Sequence, residues 1–289
     1  PHLRRARSRK LAYERLSFQS EYEPYSEEPG RDRWLSYLPN RTAHAWVLRH
    51  GDGSRPWLVC IHVYQMGTPA WDFAAFRAGY LHHRLGLNLV LPVLPLHGPR
   101  KIGRLSGDGF LVADFLDTIH AEAQAMWDIR RILSWVRGQG GSRIGVHGLS
   151  LGGYNTALLA CLDGDLACAI PGIPATDFSR LVWRHGPRLQ IRYAEDQGLL
   201  QDEVTETTRV ISPLALQPKL PKERRYIFGG VADQLVPPDQ VRDLWRHWDR
   251  PRMEWYQGGH VSFRFHPQVR RLLDDALRES GLVAGQARS

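Results

Sequence analysis

The sequence has few of the residues on which disulfide-bonded and metal-binding folds depend. Its 289 residues include three cysteines and three methionines. An odd number of cysteines without framework spacing argues against a disulfide-stapled fold. We therefore expect Cys60, Cys161 and Cys168 to be small buried thiols in a reducing, cytoplasmic compartment. The 13 histidines are scattered, and neither H-E-x-x-H nor C-x-x-C occurs, so we expect no metal site and no cofactor.

Long hydrophobic runs are also missing. The most apolar stretch, residues 85–96, is interrupted by Asn88 and two prolines and is too short to span a bilayer. We expect no membrane span and no signal-like segment in the given chain. Because the chain begins at Pro1, we expect that an N-terminal piece precedes it, and the sequence leaves open whether that piece is a targeting signal.

Lysine is rare, although the net charge is +8. The positive charge is almost all arginine, a bias that a GC-rich genome produces without selection, and the 30 acidic residues are interspersed with it. The one concentrated basic run, residues 4–10, is terminal and reads as a solvated tail. Charge alone therefore gives little support for a nucleic-acid partner, and we expect none; the oligomeric state is left open.

The sequence does contain short apolar segments that alternate with segments of helical periodicity. We predict strands at 43–49, 57–62, 87–94, 144–147, 166–173, 225–231 and 253–256, and helices at 70–85, 110–136, 154–161, 239–248 and 267–279. Such alternation predicts an α/β fold with a predominantly parallel central sheet and helices on both faces. We expect residues 1–42 to wrap the surface, residues 43–289 to form one domain, and residues 176–221 to be a small helical lid over the site.

The segment around Ser150 carries the strongest chemical signal. Gly148-x-Ser150-x-Gly152 follows a predicted strand and precedes a predicted helix, which is typical of a nucleophile elbow. A serine attacks only if it protrudes from a tight turn, and the residues two before and two after it then lie too close for side chains. The alternative is an ordinary strand-to-helix turn with a bystander serine.

With two further segments, the chain resembles the α/β-hydrolase superfamily from about residue 43 to its end. Asp233 lies in the run FGGVADQLVP, and His260 lies in GGHVS. The order Ser150, Asp233, His260 is the order that this superfamily uses for nucleophile, acid and base. The resemblance therefore implies a Ser-His-Asp triad.

The chemistry of these residue types supports the same assignment. Histidine takes the proton of Ser150 and returns it to the leaving group, and an acid holds the imidazole in the required tautomer. Asp239 is the rival acid, but it lies in the first turn of a helix, where a carboxylate suits the dipole. His266 is the rival base, and His266-Pro267 reads as the entry to the last helix.

An oxyanion hole needs two backbone N–H groups. One is expected from Leu151, the residue after the nucleophile. By resemblance to the His-Gly-X loop of the superfamily, the other is expected from Tyr64. Val63 stands where glycine is usual, and because a β-branched residue resists positive φ, we expect the loop to take a different path.

Substrate contacts are less sharply defined. We consider Val63, His97, Arg100 and Trp183 as candidates; His97 and Arg100 are alternatively polar residues of a rigid loop. The lid segment supplies apolar side chains that either line a cleft for an apolar acyl group or anchor the lid: Phe178, Leu181, Val182, Trp183, Leu189, Ile191 and Tyr193. Its arginines at 180, 184, 188 and 192 also allow an anionic substrate.

The leading functional hypothesis is a carboxylic ester hydrolase that works through an acyl-serine intermediate on a small-molecule ester or acyl substrate. A thioesterase, an amidase or peptidase, and an acyltransferase on the same triad remain open, since a fold does not define the acyl donor or acceptor. A different class is a non-catalytic binding protein with this fold, whose usual mark is a missing triad residue.

Overall fold

The structure, a computed structural model, describes residues 1–51, 54–111 and 114–284. Residues 112 and 113 of the predicted helix 110–136, and the last five residues of the predicted domain, lie outside this range. Within it, nine strands form one sheet. They are β1 (His2–Ser8), β2 (Leu11–Gln19), β3 (Thr42–Leu48), β4 (Trp57–Ile61), β5 (Asn88–Val93), β6 (Ile144–Leu149), β7 (Cys168–Gly172), β8 (Tyr226–Gly230) and β9 (Arg252–Tyr256).

The α-helices of the described residues lie mostly between these strands. They are α1 (Arg31–Ser36), α2 (Pro69–Ala75), α3 (Phe115–Gly138), α4 (Leu151–Leu162), α5 (Phe178–His185), α6 (Arg188–Asp196), α7 (Gln201–Thr207), α8 (Pro238–His247) and α9 (Pro267–Glu279). None of them is both long and apolar enough to cross a membrane.

The sheet has the order β1-β2-β3-β5-β4-β6-β7-β8-β9. The ladders from β5 through β4 to β9 are parallel, whereas β1, β2 and β3 join them through antiparallel pairs. The predominantly parallel sheet is therefore confirmed. Because parallel strands carry their following loops at the same edge, the loops after β4, β6 and β8 lie together there.

Residues 1–42, which we expect to wrap the surface, also supply two strands of the sheet. β1 and β2 form a hairpin that extends the sheet, and most of the basic run lies in β1 and in the following turn rather than in a solvated tail. β1 is an outer edge strand with largely exposed side chains. It shows no apolar alternation for this reason, and its charges suit an edge that must not pair with other chains.

The predicted helix 70–85 is two shorter pieces. α2 ends at Ala75, and one turn of π-helix spans Tyr80–Arg84. Arg77 adopts a left-handed conformation with φ 51° between them, which a continuous helix does not allow. The apolar spacing alone did not reveal this break.

Each central strand contributes to two hydrophobic layers. Along β4, Val59 and Ile61 pack against α3 and α4, while Leu58 and Cys60 pack against α2 and α9 on the opposite face. Burial on both faces explains why β4 is apolar throughout. The sheet is thus covered by helices on both sides, and its loop-bearing edge is left for the site.

A helical insertion, residues 176–221, follows β7 and contains α5, α6 and α7. Phe178 is buried and stacks on Tyr154 of α4 with ring centroids 4.2 Å apart. Arg180 forms ion pairs with Asp239 and, at 2.7 Å, with Asp243 of α8. One end of the insertion is therefore anchored to both α4 and α8.

Candidate active site

Ser150 stands alone between β6 and α4 in a strained backbone conformation. Its dihedral angles are φ 54° and ψ −112°, a region that a side chain other than glycine rarely occupies. A Cβ on Gly148 would overlap the carbonyl oxygen of Gly152, and a Cβ on Gly152 would overlap the carbonyl oxygen of Ile61. The two glycines are therefore required by close backbone approach, as the sequence predicts.

Neighbouring backbone holds this turn in place. Ser150 N–H donates to Gly172 O of β7 at 2.9 Å. The Ser150 carbonyl accepts from Tyr154 N–H at 2.9 Å and from Ala175 N–H at 3.3 Å. Strain of this kind persists only where the surroundings over-determine it. The serine side chain is largely buried, yet it lines a cavity below the helical insertion.

Asp233 and His260 meet at the same edge of the sheet. Asp233 follows β8, and its Oδ1 accepts from the backbone N–H groups of Leu235 and Val236, both at 2.9 Å. Its Oδ2 lies 2.7 Å from His260 Nδ1. A carboxylate only accepts, so Nδ1–H donates, and in the neutral imidazole with this tautomer the lone pair lies on Nε2. His260 lines the same cavity as Ser150.

The rival acid and base are engaged elsewhere. Asp239, in the first turn of α8, pairs with Arg180. The ring of His266 lies against Tyr256, with centroids 4.9 Å apart, at the start of α9. Neither residue is part of the wall of the Ser150 cavity.

The loop after β4 reaches the cavity with Val63, Tyr64 and Gln65. Met66 N–H donates to Val63 O at 3.2 Å, which closes a turn, and its third residue, Gln65, has φ 65°. Positive φ thus falls on Gln65 and not on Val63. Opposite this loop, Leu151 N–H belongs to the first residue of α4 and has no acceptor within the helix.

Two buried side chains hold this loop from below. His62 Nδ1–H donates to Val63 O at 2.8 Å, and His62 Nε2 accepts from Leu94 N–H at 3.1 Å. Burial lowers the pKa of His62, which keeps it neutral. Asp72 accepts from Gly67 N–H at 3.0 Å and from the Trp46 indole at 2.9 Å. Sequence reasoning missed Asp72, because an acid in a first helical turn is ordinarily a surface residue.

The cavity that holds Ser150 and His260 has a volume of about 640 Å³. Its wall is mainly apolar and includes two of the predicted substrate contacts, Val63 and Trp183. The remaining lining residues come from the segment before α3, from the start of α3, from the insertion and from the loops after β8 and β9: Leu111, Phe115, Leu181, Val182, His185, Gly186, Pro187, Gln190, Ile191, Ala194, Leu199, Leu235, Val236 and Val261.

His97 and Arg100 do not reach this cavity, and neither is an exposed loop residue. The structure corrects both alternatives, since both side chains are fully buried. Arg100 pairs with Asp128 at 2.9 Å and donates to Asn40 O and Val93 O, each at 3.0 Å. Burial lowers the pKa of His97 to about 3. These residues support the fold around the site instead.

The apolar side chains of the insertion divide between the two expected roles. Leu181, Val182, Trp183 and Ile191 line the cavity, whereas Phe178 is an anchor. The two others, Leu189 and Tyr193, are exposed on α6. The arginines at 180, 184, 188 and 192 are absent from the cavity wall. Nor do the described residues contain a cluster of three or more His, Cys, Asp or Glu side chains that could hold a metal.

Comparison with known proteins identifies relatives by sequence. No model of a known protein family matches the chain. Two uncharacterised proteins of Mycobacterium tuberculosis, MT2702 of strain CDC 1551 and Rv2627c of strain H37Rv, are each 46% identical over 283 residues. The match covers 97% of this chain and 68% of either relative.

Solved structures share the architecture at lower sequence identity. The acetyl xylan esterase from Paenibacillus sp. R4 has a TM-score of 0.67 at 20% identity, covering 95% of this chain and 88% of that one. The enzyme of the same name from Thermoanaerobacterium sp. JW/SL YS485 has a TM-score of 0.67 at 16% identity, with 95% and 87% coverage. The acylaminoacyl peptidase of Pyrococcus horikoshii matches with a TM-score of 0.60 at 15% identity, over 100% of this chain and 42% of that one.

Proposed function

Because this chain belongs to the same family as Rv2627c and shares its fold with solved esterases and an α/β hydrolase, we propose that it is a serine hydrolase of the α/β-hydrolase superfamily that cleaves carboxylic esters. The observation that carries the proposal is the 2.7 Å contact between His260 Nδ1 and Asp233 Oδ2, with His260 and Ser150 lining one cavity. In the proposed triad Ser150 is the nucleophile, His260 the base and Asp233 the residue that orients the base.

The proposed reaction has two stages. Ser150 Oγ attacks the ester carbonyl while its proton passes to His260 Nε2, and a tetrahedral oxyanion forms. The N–H groups of Leu151 and Tyr64 are the proposed donors to that oxyanion. The C–O bond to the alcohol breaks, and His260 returns the proton to the leaving oxygen. Water then attacks the acyl-serine by the same route and releases the acid and free Ser150.

Other acyl-transfer reactions use the same groups. A thioesterase, an amidase or peptidase, and an acyltransferase differ only in the leaving group or in the acceptor that replaces water. The names of the structural neighbours make acetate esters and acylated amino-acid amides sensible members of a first screen. A non-catalytic binding protein would retain the fold and the cavity but would turn over none of these compounds.

Hydrolysis of p-nitrophenyl esters tests the proposal. The wild-type chain should release p-nitrophenol, and Ser150→Ala should lose activity by up to about 10⁶-fold, as in serine proteases that lack the nucleophile. Ser134→Ala is a matched control, because this serine lies on the outer side of α3 and donates only to Arg130 O. Equal turnover by wild type and Ser150→Ala would refute the mechanism.

We also propose a reducing, cytoplasmic location. Cys60, Cys161 and Cys168 are all free and buried, and burial raises the pKa of the Cys161 and Cys168 thiols to about 12. Such thiols are small core side chains rather than disulfide partners. Fractionation of cells that express the whole natural protein would test this location.

A further inference from the structure

We propose that the Ser150 cavity selects esters with an uncharged, apolar acyl chain of medium length. The inference deepens the proposed ester hydrolysis and rests on it. It names the chemical class of the acyl group and assigns its recognition to the inner wall formed by α3, α5 and α6.

Among the described residues, the wall of the cavity carries no side chain of the four charged residue types, Lys, Arg, Asp and Glu. A charged acyl group would leave water without a partner, which costs several kcal/mol per ion in a protein interior. An apolar chain gains free energy by the same transfer.

Polar side chains also lie on the wall, and the donors of two of them, Trp183 and His185, are engaged within the protein. The Trp183 indole N–H donates to Glu195 Oε1 at 3.1 Å, and His185 Nε2 donates to Leu235 O at 2.9 Å. Trp183 also stacks on Phe115, with ring centroids 6.4 Å apart. Because these donors are already engaged, the two side chains present mainly apolar surface to a ligand.

The residues that line the cavity differ in how far they are exposed to solvent. The leaving alcohol must lie beside His260, which protonates it. The loops next to His260 are open to solvent, since Leu235 is 55% and Val261 is 62% exposed. Two other lining residues, Phe115 of α3 and Leu181 of α5, are each only 8% exposed. We therefore assign the alcohol to the exposed part of the cavity beside His260 and the acyl chain to the part beside Phe115 and Leu181.

The cavity volume limits how far kcat/KM can rise with the length of the acyl chain. A volume of about 640 Å³ is in the range of pockets that bury a drug-sized ligand. Each buried methylene contributes about 0.8 kcal/mol, which is about a fourfold gain in kcat/KM. Butyrate, with two more methylenes than acetate, should then be hydrolysed with a kcat/KM about 15-fold higher, and the gain should stop when the enclosed part is full.

The test is a series of p-nitrophenyl esters with a constant leaving group, run on wild type, Ile191→Trp and Leu189→Trp. Ile191 lines the cavity, whereas Leu189 is on the same helix and exposed. Ile191→Trp should lower kcat/KM for octanoate about tenfold more than it lowers kcat/KM for acetate, a difference equivalent to fewer than two buried methylenes. Leu189→Trp should behave as wild type. If Ile191→Trp does not fold, Val182→Phe fills the same cavity.

The outcomes separate this inference from the proposed function. A profile that does not rise from acetate to butyrate, in a chain whose Ser150 still reacts with a fluorophosphonate, would overturn the acyl-chain assignment and leave the hydrolase proposal standing. A higher kcat/KM for the mono-p-nitrophenyl ester of a dicarboxylic acid than for its uncharged counterpart would do the same. Absence of both turnover and labelling would overturn both.

Discussion

One carboxylate oxygen of Asp233 accepts a hydrogen bond from His260 Nδ1 at 2.7 Å, and the other accepts from two backbone N–H groups of its own loop. The carboxylate is therefore oriented by the backbone before it orients the imidazole. This arrangement distinguishes Asp233 from Asp239, whose partner is Arg180 on the helical insertion.

We predict that Asp233→Asn and His260→Ala each lower kcat by about 10³-fold or more, as in other triads. An amide at position 233 donates to Nδ1 and so moves the imidazole proton to Nε2, which can then no longer accept from Ser150. Asp239→Asn and His266→Ala should keep wild-type kcat. Steady-state kinetics of the four variants decide the assignment, and a larger loss at Asp239 or His266 would show that the wrong pair has been chosen.

We predict that Asp72→Asn lowers kcat by about tenfold with little change in KM, since small displacements of positioned groups are costly. Gly67 N–H and the Trp46 indole donate to different oxygens of Asp72. An amide offers only one oxygen, so one donor faces the NH2 group, and the support of the loop that carries Tyr64 is weakened. Adding Trp46→Phe removes the indole donor and should restore much of the kcat. Failure of this double variant to recover would mean that Asp72 acts only through overall stability.

Arg100 and Asp128 form a fully buried ion pair, and we predict that Arg100→Met lowers the free energy of unfolding by about 3–5 kcal/mol because it leaves a buried carboxylate without its partner. Arg100→Met combined with Asp128→Leu should recover most of that loss. Urea unfolding measures both. A change in KM with an unaltered free energy of unfolding would instead support the hypothesis that Arg100 contacts the substrate.

Glu122 is buried on α3, and Asn155 of the nucleophile helix α4 donates to its Oε1 at 3.2 Å. Among the described residues, its Oε2 has no hydrogen-bond partner. Burial raises the pKa of Glu122 from its ordinary value of 4.5 to about 8. Between these values the folded chain holds a proton that the unfolded chain has released, so the free energy of unfolding falls as the pH rises.

We predict that Glu122→Gln removes this pH dependence. Relative to the variant, the wild type should lose up to about 1.4 kcal/mol of stability for each pH unit between the two pKa values. Urea unfolding at about pH 5 and about pH 8 checks the prediction. Parallel pH dependence of the two proteins would show that Glu122 is ionised in the folded chain.

Local features of the site were predictable from sequence, and the pairing of Asp233 with His260 was predicted through the resemblance, whereas other long-range contacts were not. The elbow at Ser150 depends on residues adjacent in the chain. The glycines at 148 and 152 indicate it in the sequence, because backbone atoms approach both positions too closely for a side chain. The burial of Arg100 could not be predicted, because its ion-pair partner Asp128 lies on another element, and the local sequence is that of an ordinary loop arginine. β1 was not predicted, because an edge strand with exposed side chains lacks the alternation of apolar and polar residues by which strands are recognised.

The most direct test of the central claim is covalent labelling of Ser150. A fluorophosphonate forms a bond from phosphorus to the serine oxygen only where a base activates the hydroxyl. Intact mass and peptide mapping should show one adduct per chain, on Ser150, absent from Ser150→Ala and retained in Ser134→Ala. An unlabelled wild-type chain, or an adduct on any other residue, would contradict the account.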